Sequence, residues 1–142
     1  MAARKKRVLK IQKRVKLVIP PWVVKVYTTL AFILLPWIVY LSVSLPRHHT
    51  ITHYDITWAG LDIGLVFIFL LTALLAYKKS RWVAMTATAS GSFLLLDAWF
   101  DILGARAGFE LKEAIILAAF IEIPLALISF SLAGHVLMRN ID

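Results

Sequence analysis

A chain of 142 residues that is 61% hydrophobic, with a mean hydropathy of +0.80, is too apolar for a water-soluble domain of this size and fits one small polytopic membrane domain. Its net charge of +8 belongs to Arg4, Lys5, Lys6, Arg7, Lys10, Lys13, Arg14 and Lys16, because the basic and acidic residues of the remainder cancel. Cysteine is absent, which excludes disulfides, thiolate metal sites, thiol catalysis and cysteine-held haem or iron–sulfur centres.

Residues 1–20 read as a basic, cytoplasmic juxtamembrane segment. Val8, Ile11, Val15 and Val18 fall on one helical face with Lys and Arg over the rest, the pattern of an amphipathic helix lying in the membrane interface. Its basic side chains suit anionic lipid headgroups, at about 1 kcal/mol for each one close to the surface. The segment has no aromatic residue for base stacking and no folded binding module beside it, so nucleic acid is not an expected partner.

Four apolar runs follow, each near the roughly 20 residues that cross about 30 Å of hydrocarbon as helix. They fall at residues 21–44, 57–77, 82–103 and 113–138, with 139–142 left as a short C-terminal tail. Pro36 should kink the first run, since proline lacks an N–H and crowds the preceding turn. That run is about twice as long as the 7–15 residues of a signal-peptide core, so it is read as a retained anchor. None of the four alternates with a period of two, and helices or closed barrels are the only spanning structures that satisfy their own backbones in lipid. The expected fold is an all-α four-helix transmembrane bundle.

Lysine and arginine in the connections set the orientation. The N-terminal segment, the second loop with Lys78, Lys79 and Arg81, and the C-terminal Arg139 hold most of them, whereas the first and third loops carry Arg47, Arg106 and Lys112. Both termini are therefore expected in the cytoplasm of a bacterial-type cell, with the protein multi-pass in the plasma membrane. Trp22, Tyr77 and Trp82 would mark the inner boundary, and Tyr40, Tyr54, Trp58 and Trp99 the outer one.

Charge within the spans carries the functional reading. Asp62 lies in the second run, Asp97 and Asp101 in the third, and Glu122 with Pro124 in the fourth. At about 1.5 Å per residue, Asp62 and Asp97 sit about 8 and 9 Å below the outer boundary, Glu122 about 13 Å, and Asp101 near the boundary itself. Thr86, Ser90, Leu94, Asp97 and Asp101 form a mostly polar stripe that should face the bundle interior, and Glu122 shares its stripe with Ala126, Ser129 and Ala133. Gly60 and Gly64 flank Asp62 as a GxxxG pair that permits close approach of another helix. Three unpaired ionised carboxylates would cost on the order of 10 kcal/mol, so the group must be protonated, paired, hydrated or cation-bound. Asp97 and Asp101, one turn apart, cannot both ionise cheaply in low dielectric and form one coupled site.

Asp62, Asp97, Asp101 and Glu122 are thus proton- or cation-binding candidates. The plain alternative is ion pairing with Arg47, Arg106 or Lys112 from the nearby loops. His48, His49, His53 and Asp55 are a second candidate cluster, since imidazole with carboxylate suits zinc, copper, nickel or iron, although their spacing matches no metal signature. The same histidines titrate near neutral pH and are equally suited to proton access. No HExxH, GxSxG, phosphate-cradling glycine loop or dinucleotide fingerprint is present, so no cofactor beyond a metal ion is expected, and an enzymatic reaction is left open only as carboxylate or metal chemistry without a known signature.

The runs LLPWIVYLSVSLP at residues 34–46, HYDITWAGLD at 53–62 and DAWFD at 97–101 resemble small four-helix integral membrane proteins of actinobacterial type, marked by YDxxWxGxD and DAWFD. The resemblance spans the first through third helices, implies that the two acidic segments belong to one fold, and implies no particular activity. Two functions remain in view. One is a proton- or cation-binding site in the outer half of the bundle; the other is an accessory or assembly subunit of a larger membrane complex, with its carboxylates in structural ion pairs. Four short-looped helices are a small scaffold for a whole transporter, which favours a homo-oligomer or a larger complex.

Overall fold

In lipid a backbone must satisfy its own N–H and C=O groups, and the described chain does so entirely through helices. The computed structural model describes residues 19–44 and 54–138. It contains α1 (Pro21–Ser44), α2 (Tyr54–Tyr77), α3 (Val83–Gly104), α4 (Phe109–Leu117) and α5 (Ile123–Met138). A π-helical turn, Ala118–Glu122, joins α4 to α5, so that Phe109–Met138 is one continuous fourth span. All four spans are long and apolar enough to cross a membrane. The basic residues Arg4 to Lys16, the loop residues Arg47, His48, His49 and His53, and Arg139 lie outside the described residues; Asp55 falls in the first turn of α2.

Pro21 opens α1, where a missing N–H costs nothing and the fixed φ already suits a helix; the helix then runs unbroken through Pro36 to Ser44. α2 ends in a Schellman cap: Ser80 N–H donates to the Leu75 carbonyl and Lys79 N–H to that of Ala76, both at 3.0 Å. Lys79 occupies the left-handed position of that cap, with φ 51°, where glycine is usual. The fourth span starts at Phe109, four residues before the apolar run suggests. Glu110 in its first turn complements the positive end of the helix dipole, so charges that read as loop belong to helix.

The π turn has a cause in the sequence. Pro124 has no N–H to give the preceding turn, and the Ile123 N–H donates five residues back, to the Ala118 carbonyl. A regular helix drifts about 40° for every step of four residues. Ala114, Ala118, Glu122 and Ala126 are nevertheless all buried, and the wider turn keeps this row on one side.

α1 packs on α2, α2 on α3, and α3 on the fourth span. No Cα of α1 comes within 8 Å of one in the fourth span among the described residues. The core is rich in small residues, including Ala31, Ala73, Ala87, Ala126 and Ala133, which let spans approach closely where lipid offers no hydrophobic drive. The tightest approach is at Gly91, where a Cβ would lie 2.9 Å from the Phe130 ring and 3.1 Å from the Ala126 carbonyl oxygen. The expected GxxxG contact differs: a Cβ on Gly64 would meet a Phe93 ring atom at 3.0 Å, and one on Gly60 would meet nothing within 4 Å. Phe32, Val39, Phe67, Met85, Phe120 and Leu127 are exposed, as suits a surface facing acyl chains.

Five hydroxyl-bearing residues, Tyr27, Thr72, Thr86, Ser90 and Ser129, lie in the core of the half of the bundle nearer the α2–α3 connection, among the described residues. Tyr27 donates to Ser129 Oγ at 2.7 Å, and Ser129 donates to the Leu125 carbonyl at 2.8 Å. The Thr72 and Ser90 hydroxyls lie 3.2 Å apart, and each bonds a carbonyl of its own helix, Ile68 and Thr86 respectively. This hydrogen bonding lets polar groups sit at depth without leaving donors unsatisfied.

Candidate functional site

Toward the other end, where α1 leads out to α2 and α3 to α4, a cavity of about 630 Å³ opens between α1 and the fourth span. Apolar side chains dominate it: Leu30 and Leu34 from α1, Leu65 and Phe69 from α2, Leu94 from α3 and Leu125 from α5. Trp37 and Tyr40 of α1 and Trp58 of α2 line it as well. The Trp37 and Tyr40 rings stand 5.6 Å apart, and the Trp58 ring meets Phe100 edge-on at 6.0 Å.

Into this setting three spans deliver carboxylates. Asp62, Asp97, Asp101 and Glu122 all line the cavity. Asp62 is 4% exposed and Glu122 8%. Asp62 Oδ2 and Glu122 Oε2 have no hydrogen-bond partner among the described residues. Asp97 and Asp101 are half-buried, one turn apart on the stripe whose lower members, Thr86, Ser90 and Leu94, are buried. Because Asp62, Asp97, Asp101 and Glu122 share one cavity, ionised forms of these acids repel one another. Repulsion among several acids in surroundings this apolar prevents all of them from carrying charge unless positive charge joins them.

A fifth acid, Glu110, also lines the cavity, and sequence reasoning left it out. Its Oε2 accepts the Arg106 backbone N–H at 3.2 Å, which ties the start of α4 to the connection before it. The signal that marks it is an acidic residue in the first turn of a helix, visible only once the helix is known to begin at Phe109. Neither Arg106 nor Lys112 is among the cavity's lining residues. Among the described residues, no three His, Cys, Asp or Glu side chains are close enough to hold one metal ion. The candidate metal residues His48, His49 and His53 lie outside that set.

The arrangement combines dispersed negative charge, apolar walls and aromatic faces within one volume. It can store protons on its carboxyl groups or accept positive charge in exchange for them, and two of its acids have oxygens that no donor among the described residues satisfies. No protein-family model matches the chain, and the comparisons with curated proteins and with solved structures likewise gave no match.

Proposed function

We propose that this chain is a small multi-pass protein of a bacterial-type plasma membrane, with both termini cytoplasmic, whose cavity binds protons or a cation from the non-cytoplasmic side. The observation that carries the reading is the pair Asp62 and Glu122. They come from different spans, are buried, line a cavity shared with Asp97 and Asp101, and each carries one buried oxygen without a hydrogen-bond partner among the described residues. Buried carboxyl groups in a membrane persist only where protonation or a positive partner compensates them. The basic residues Arg4 to Lys16 serve anionic lipid on the cytoplasmic side.

The test is the thermal stability of the purified protein as a function of pH and of added cation. Wild type is expected to respond to both, and Asp97→Asn to lose most of that response while keeping its elution volume. An unchanged response in Asp97→Asn would remove the proposal. Loss of a co-purifying protein in the same variant, with no change in response, would favour the accessory-subunit reading.

A further inference from the structure

We propose that the cavity receives an organic cation with an apolar body, its ammonium or guanidinium group seated among the carboxylates and its hydrocarbon portion against Trp37 and Trp58. This rests on the cation-binding reading above and narrows it to a ligand class. Four observations favour an organic cation over a bare metal ion.

The first is size. A volume of about 630 Å³ falls inside the roughly 300–1,000 Å³ typical of small-molecule pockets, and a dehydrated metal ion would leave most of it unfilled. The second is charge distribution. Asp62, Asp97, Asp101 and Glu122 share the cavity, yet no three acids are placed to coordinate one ion among the described residues. Negative charge spread in this way matches a cation whose own charge is spread over several hydrogen-bond donors or alkyl groups.

The third is the wall. Aromatic faces attract ammonium and guanidinium groups through the ring quadrupole, and the leucines beside them suit hydrocarbon rather than a hydrated ion. Trp37 and Tyr40 stand side by side, and Phe100 braces Trp58, so part of this aromatic surface is held in place before any ligand arrives. The fourth is the pair Asp62 and Glu122, which line the cavity and whose Oδ2 and Oε2 are buried without a hydrogen-bond partner among the described residues. These are acceptors that N–H donors on a ligand would satisfy, and buried acceptors left without donors are costly. Electroneutrality then sets the exchange: a cation enters as a carboxyl group releases its proton to solvent.

The experiment uses the full chain in nanodiscs, with benzylammonium chloride, which carries three N–H donors on an apolar body, as the probe, followed by calorimetry and by proton release in weak buffer. Sodium chloride at equal ionic strength and benzyl alcohol are the comparators. Saturable binding of the ammonium probe with release of protons is expected, at least tenfold weaker in Asp97→Asn and several-fold weaker in Trp58→Leu. Asp101→Asn replaces Asp97→Asn should the latter fail to fold. Asp97-dependent responses to sodium or pH, with no binding of the ammonium probe, would overturn this inference and leave the cation-binding reading standing. Absence of every response would end both. Probe binding equal in wild type and the carboxylate variants would mark partition into lipid and would also overturn the inference.

Discussion

Tyr27 on α1 donates a 2.7 Å hydrogen bond to Ser129 on α5, joining two helices whose Cα atoms nowhere come within 8 Å among the described residues. The bond continues, because Ser129 passes its own proton to the Leu125 carbonyl at 2.8 Å. Each hydroxyl proton in this chain is used once. The Thr72 and Ser90 pair is built differently. Both hydroxyls already donate to carbonyls of their own helices, so their 3.2 Å contact competes for a proton engaged elsewhere.

Double-mutant cycles should separate the two pairs. Tyr27→Phe with Ser129→Ala is expected to show a coupling of about 1 kcal/mol, within the range measured for hydrogen bonds between membrane helices. Thr72→Val with Ser90→Ala is expected to show less than about 0.5 kcal/mol, because each hydroxyl keeps its local bond when the other is removed. Reversible unfolding in mixed detergent micelles measures both, and equal couplings would contradict the proton accounting.

Glycines on two helices should respond in opposite directions. Gly91→Ala places a methyl 2.9 Å from the Phe130 ring and 3.1 Å from the Ala126 carbonyl oxygen. The ring can turn aside, but the carbonyl belongs to the backbone of α5, so destabilisation of about 1–3 kcal/mol is expected from overpacking. Gly60→Ala meets nothing within 4 Å and is expected to be neutral or to stabilise by up to about 1 kcal/mol through helix propensity. Melting temperatures of the two variants in one detergent check the contrast.

Lys79 holds a left-handed conformation, φ 51°, at the end of α2. A side chain there costs about 1 kcal/mol relative to glycine, because its Cβ crowds the backbone. Lys79→Gly is expected to raise stability by about that amount, and Lys79→Ala, which keeps the Cβ, is expected to bring no such gain. Thermal unfolding of the three proteins side by side provides the measurement.

The spans were legible because length and hydropathy are properties of composition along the chain. The stripe from Thr86 to Asp101 was legible because helical periodicity needs only one helix to be right. Other features needed relations between helices. Trp37 was read as part of an apolar run, and Tyr40 and Trp58 as boundary markers, yet all three line the cavity; an aromatic near the interface satisfies either role, and spacing alone does not choose. The close approach at Gly91 carries no GxxxG signature, while the GxxxG at Gly60 has open space at one of its glycines. The widened turn before Pro124, which keeps Glu122 in line with Ala118 and Ala126, was not anticipated, since the only kink expected was at Pro36.

The four spans stand in a row, like staves with the last hoop left off. Neighbours along the row are held by packed backbones, but the first and last stave stand further apart among the described residues and meet through side chains, the Tyr27–Ser129 hydrogen bond among them. That hydrogen bond is worth about 1 kcal/mol beside the apolar side chains buried around it, whereas parting any neighbouring pair would also disrupt a closely packed backbone seam. Three of the four seams thus rest on close backbone approach, and the fourth on side chains that reach across a wider gap.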